Sequence, residues 1–88
     1  MIRRHMVFTG AVQGVGFRWR ARHAASLYGC TGWCRNEWDG SVTMELQGEA
    51  GRIDQVLQAI TQGSFIRIES MTDETMPLRP EEKDFRTD

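Results

Sequence analysis

Proline and cysteine are scarce in this 88-residue chain, at two each, and neither charge sign prevails, the formal net charge being −1. That near-neutral balance, with a sequence pI of about 6.1, leaves no broad basic field to draw nucleic acid or an anionic membrane. No apolar run approaches the roughly 18 residues that a membrane-crossing helix needs. The N-terminal residues carry no signal-peptide core. A soluble, cytoplasmic protein is therefore expected, with no nucleic-acid or membrane partner. Cys30 and Cys34 cannot supply a disulfide framework. On one strand they would lie about 13 Å apart, beyond the roughly 7 Å reach of a disulfide between Cα atoms. Free thiols and a reducing compartment follow. As a metal pair they lack two further ligands, for which only His5 and His23 are at hand, and no metal site is expected.

The hydrophobic fraction of 40% suffices for one small core, so residues 1–88 are read as a single domain. The most informative stretch is Gly10-Ala11-Val12-Gln13-Gly14-Val15-Gly16-Phe17-Arg18. A strand-like Met6-Val7-Phe8-Thr9 precedes it, and a helix-like segment without Gly or Pro follows from Phe17 to Tyr28. A tight strand-to-helix turn results, able to aim unpaired backbone N–H groups at one point with the positive end of the helix dipole behind them. Gly14 and Gly16 allow φ > 0 and close approach of an anion. Arg18 adds a planar fork of donors suited to a phosphoryl group. The run lacks the Lys-Ser/Thr of a nucleotide P-loop and the third glycine of a dinucleotide fingerprint. A Cys-x5-Arg phosphatase signature also fails, because Asn36 and Gly40 stand six residues after the two cysteines. The plain alternative is that two glycines simply make a turn.

Along the chain, residues 3–12 alternate as a first strand with Met6 and Phe8 facing the core. Phe17, Ala21, Ala24, Ala25 and Tyr28 form a helical stripe that Gly29 ends. Two strands follow, Thr31–Asn36 and Ser41–Gln47, joined at Asp39-Gly40; Val42, Met44 and Leu46 point inward, and Thr43, Glu45 and Gln47 outward. Ile53, Val56, Leu57 and Ile60 mark a second amphipathic helix over 50–62, stopped at Gly63. Phe65, Ile66 and Ile68 open another strand reaching Met71 or Thr72. Residues 73–83, with Pro77 and Pro80, read as a loop, and a short fifth strand around Phe85 is left open. The order β-α-β-β-α-β, with a central hairpin, predicts an α+β ferredoxin-like sandwich: an antiparallel sheet with two helices on one face. That fold alone specifies no function.

Gly10-x-Val12-Gln13-Gly14-Val15-Gly16-Phe17-Arg18, followed by Gly32-Trp33-x-Arg35-Asn36 and Asp39-Gly40-x-Val42, resembles the acylphosphatase family over nearly the whole chain. The resemblance implies hydrolysis of the carboxyl–phosphate bond of acyl phosphates, without metal, cofactor or covalent intermediate. Inorganic phosphate is then product and inhibitor. Carried over, Arg18 and the amides of Gln13, Gly14, Val15, Gly16, Phe17 and Arg18 hold the phosphoryl group, while Asn36 positions the attacking water. Cys34 stands where an aliphatic residue is usual, a packing change that a free thiol tolerates. The family also occurs as a domain at the start of a larger hydrogenase-maturation carbamoyltransferase. With no further domain in this chain, a free-standing and monomeric enzyme is expected.

Each of these residues has a plainer reading. Arg18 is alternatively a surface arginine pairing with Glu37 or Asp39, and Asn36 a turn-favouring residue that starts the hairpin. Trp33 suits core or rim packing, Arg35 a solvated strand position. Trp19 and Trp38 either flank the cradle or serve as amphipathic cover. Two other functions share the fold: a non-catalytic phosphate-sensing domain and an RNA-binding module. The RNA module calls for exposed strand aromatics and a basic surface, and neither is evident here.

Overall fold

The structure, a computed structural model, describes residues 1–88. Its elements are β1 (Ile2–Ala11), α1 (Phe17–Leu27), β2 (Thr31–Asn36), β3 (Val42–Gly48), α2 (Ala50–Thr61), β4 (Arg67–Met76) and β5 (Phe85–Thr87). They form one five-stranded sheet in the order β4-β1-β3-β2-β5. Pairings are antiparallel except for β2 with β5, which is parallel. The sheet is therefore mixed rather than wholly antiparallel, and the short fifth strand is real.

One layer of apolar side chains joins the sheet to both helices. Met6 and Phe8 of β1, Cys34 of β2 and Val42, Met44 and Leu46 of β3 pack with Phe17, Ala21, Ala24 and Ala25 of α1 and Ile53, Val56 and Ile60 of α2. The periodicities expected for both helices and for β1 and β3 hold. Gly29 ends α1 in the left-handed conformation, at φ 68°. Cys30 sits one residue ahead of β2 rather than on it, and both thiols are free and buried.

Phe65 and Ile66 precede β4 rather than open it, Phe65 lying exposed in a turn, and two further expectations need correction. First, β4 continues to Met76, so Asp73–Met76 is strand and not loop. This edge strand is exposed along almost its whole length, so it carries no one-sided apolar pattern by which sequence could mark its end. Second, Thr43, Glu45 and Gln47 point away from the helices yet are buried, at 5–6% exposure. For Glu45 and Gln47 the cause is the connection from β4 at one edge to β5 at the other, which crosses this face, while Thr43 donates to Glu37 Oε2 at 2.8 Å. Gln47 donates to the Arg79 carbonyl (2.9 Å) and accepts from the Arg79 N–H (2.8 Å). Arg3, fully buried, donates to Glu45 Oε1 (2.9 Å) and to Glu82 Oε1 (2.7 Å).

The strap is thus clamped by charge, where the helical side is held by apolar packing. Burial alone would raise the Glu45 carboxyl, but hydrogen bonds from His5 and Arg3 outweigh it and hold it below its ordinary value. A carboxylate lowered in the folded state contributes stability above its ordinary range, and that share is lost as pH falls through the lowered value. Tm is expected to drop on acidification below about pH 4.5. Glu45→Gln should flatten this dependence and cost about 3 kcal/mol at neutral pH, since Arg3 stays buried with one carboxylate fewer. Thermal melts of both proteins between neutral and acid pH check this.

Candidate active site

The turn after β1 is pinned at both ends by buried side chains. Val12 and Phe17 are each about 1% exposed, and the Phe17 ring packs on Phe8 with centroids 5.0 Å apart. The register with β4 shifts between Thr9 and Gly10, just before the turn. Between the anchors the backbone bows outward, with Gly14 at φ 70° and Gly16 at φ 86°. Both need the left-handed freedom of glycine, and a Cβ built at either would meet nothing within 4 Å. The space before the bend is open.

No N–H from Gln13 to Trp19 finds a backbone acceptor; the first satisfied donor of α1 is Arg20, bonded to the Gly16 carbonyl at 3.0 Å. No side chain caps this helix start. A row of unpaired donors at a helix N-terminus is a receptor for an anion.

The bend is fixed against the β2–β3 turn through a contact that sequence reasoning missed. The Gln13 side-chain amide donates to the carbonyls of Glu37 (2.6 Å) and Ser41 (2.9 Å). That turn is itself tied: Glu37 N–H donates to Ser41 O (2.8 Å), Gly40 N–H to Glu37 O (3.2 Å), and Asp39 Oδ1 accepts from Ser41 N–H and Oγ. The Ser41 hydroxyl and N–H hold the Asp39 carboxyl below its ordinary range. Asn36, half-buried, is the last residue of β2 and directly precedes Glu37. The glycine bend and the Asn36 hairpin are therefore one cross-linked unit.

Arg18 extends from the first turn of α1 and is exposed. Its Nη1 donates to the Asp88 carbonyl at 3.0 Å, and Asp88 N–H donates in turn to the Cys34 carbonyl at 2.9 Å. The arginine thus reaches the end of β2 that carries Asn36, two residues beyond Cys34 and on the same pleat face. It pairs with neither Glu37 nor Asp39; Glu37 is taken by Arg35 and Thr43. Burial pushes the Cys34 thiol up to about 12, with the Arg18 charge acting the other way. A neutral thiol beside the cradle is no nucleophile. Phe17 gives the bend its amide, while its ring belongs to the core. His5 lies against Glu45 and His23 against Trp19.

Sheet order, helix placement and bend define a class: a ferredoxin-like α+β sandwich with an anion-receptive turn heading its first helix. Comparison with known proteins narrows it. The Acylphosphatase family profile matches residues 4–87. An acylphosphatase of Geobacillus thermodenitrificans is 41% identical over 87 residues, covering 98% of this chain and 93% of its own. The crystal structure of acylphosphatase from Bacillus subtilis superposes with a TM-score of 0.89 at 24% identity, covering 99% of this chain and 98% of that one. An acylphosphatase structure from Coxiella burnetii gives 0.87 at 27% identity, with coverages of 99% and 92%. This chain belongs to the acylphosphatase family and is an enzyme of that kind. No helix in it is long and apolar enough to cross a membrane.

Proposed function

We propose that the protein hydrolyses the carboxyl–phosphate bond of acyl phosphates by direct attack of water, with the phosphoryl group held at the glycine bend. The observation that carries this reading is the run of donors without backbone partners from Gln13 to Trp19, opening beside Arg18. The amides of residues 13–18 and the Arg18 fork take the non-bridging phosphoryl oxygens. The Asn36 carboxamide, on the hairpin that Gln13 ties to the bend, holds a water in line with the acyl oxygen. As the water oxygen bonds to phosphorus, the bond from phosphorus to the acyl oxygen breaks and its electron pair leaves with the carboxylate. The water's proton passes to a phosphoryl oxygen. A carboxylate is a good leaving group and phosphoryl transfer runs through a loose transition state, so positioning and charge stabilisation carry the rate. No strong base is needed, and Cys34, held neutral, does not compete with water.

The test is hydrolysis of acetyl phosphate in the presence of a chelator. Turnover is expected to persist, with inorganic phosphate raising KM and leaving kcat unchanged. Activity that disappears with the chelator, or phosphate that fails to compete, would overturn the reading.

A further inference from the structure

A groove at the foot of the glycine bend takes no part in the chemistry above. It holds about 410 Å³ and is lined by Ala11, Ser64, Phe65, Ile66, Arg67 and Glu69. Ala11 closes β1, two residues before Gln13, and pairs with Arg67, the first residue of β4. The two strands approach closely here, for a Cβ built on Gly10 would strike the Arg67 carbonyl. Phe65 is 78% exposed, yet its turn is held: Gly63 N–H donates to Ile60 O and Ile66 N–H to Gly63 O, each at 3.1 Å. Ile66 packs against the core. The Phe65 ring is thus an uncovered apolar surface on a fixed wall of the groove.

Sheet order sets this groove and Asn36 on opposite flanks of the bend. β1 has β4 on one side and β3, then β2, on the other. β1 and β2 end, and β4 begins, at the same end of the sheet. With strands about 4.8 Å apart, Asn36 stands two spacings to one side of β1 and Arg67 one spacing to the other. The bend leans toward the hairpin, where Gln13 holds it, and Arg18 reaches to that side as well. A water held by Asn36 approaches phosphorus from the β2 side. In-line displacement then sends the acyl oxygen out on the far side, back over β1 toward the start of β4. Arg67 and Glu69 are of opposite sign, so the groove favours neither charge, and Ala11, Phe65 and Ile66 make it receptive to apolar matter.

We propose that this groove receives the acyl group, with the Phe65 ring as its contact surface, and that aromatic acyl groups gain most from it. The proposal rests on the acyl-phosphate reading above, and its test separates the two. The full chain, Phe65→Ala, Phe65→Tyr and Trp38→Ala are compared for kcat/KM on benzoyl phosphate and acetyl phosphate. Trp38, 99% exposed, supplies the control: an equally bare aromatic on the hairpin, the flank that carries Asn36. The benzoyl-to-acetyl ratio is expected to fall about fivefold in Phe65→Ala and to hold in Phe65→Tyr and Trp38→Ala. An unchanged ratio in Phe65→Ala, or an equal fall in Trp38→Ala, overturns the assignment and leaves the acyl-phosphate reading standing. A wild type that hydrolyses neither substrate removes that reading first. Binding gives a readout apart from turnover, since phenylphosphonate offers three oxygens to the bend and a ring in the direction of the leaving group. Its binding should weaken about fivefold in Phe65→Ala while that of inorganic phosphate holds; equal changes for both ligands sink the proposal.

Discussion

Arg18→Ala is expected to abolish measurable turnover and phosphate inhibition together, while the circular dichroism spectrum and Tm stay close to those of the wild type. The asymmetry follows from where the side chain stands. It is exposed, and its one hydrogen bond within the chain goes to the Asp88 carbonyl, so its removal leaves no cavity and strands no buried charge. What would be lost, on the proposed role, is the charge-assisted pair to the phosphoryl oxygens, at about 1.5–3 kcal/mol per bond. Two such bonds amount to roughly two to four orders of magnitude in kcat/KM. Arg18→Lys should recover little, because an ammonium is a point charge without the planar fork. Measurement of kcat/KM on acetyl phosphate and Ki for inorganic phosphate settles it. Turnover in Arg18→Ala near the wild-type rate would remove the guanidinium from the mechanism.

Asn36→Ala should separate what Arg18→Ala destroys together. The carboxamide is assigned to the water and not to the phosphoryl group, so kcat should fall by about 10²–10³, the usual loss for one positioned polar donor. Inorganic phosphate should still bind within about threefold of its wild-type Ki. Asn36 ends β2 half-buried, on a hairpin whose other polar groups hold the turn without it. The fold should therefore lose no more than about 1 kcal/mol. A parallel loss of binding and turnover would make Asn36 a binding or structural residue and refute the water-positioning role.

Much of this architecture was legible in the residues because its cues are local. Strict alternation in Val42–Gln47, the 3-4 spacing of Ile53, Val56, Leu57 and Ile60, and the glycines at 14, 16 and 29 each follow from one element's own geometry. The unpaired amides of the bend were readable for the same reason: they are consecutive, and the glycines that free them stand in the run. Contacts between distant segments were not readable. Nothing near Gln13 signals that its side chain seeks the carbonyls of Glu37 and Ser41. Glu45 and Gln47 look like solvent-facing strand positions until a crossing segment covers them. β4 outlasted its expected end because an exposed edge strand is written in polar residues as readily as a loop is. The parallel pairing of β5 likewise depends on where the crossing segment lands, which no local pattern encodes.

The β2–β5 pairing has a consequence for the order of events in folding. Gly32 and Phe85 come together only after the chain has traversed the whole sheet, and such distant closures are slow to form because the loop entropy must be overcome first. A partly folded molecule, with its helices docked and its hairpin closed but the final strand unzipped, would hold the glycine bend without a seat for the guanidinium. With the guanidinium and the bend holding phosphate as proposed, full affinity would arise only at the last stage of folding, and the ligand would draw the population toward the finished molecule.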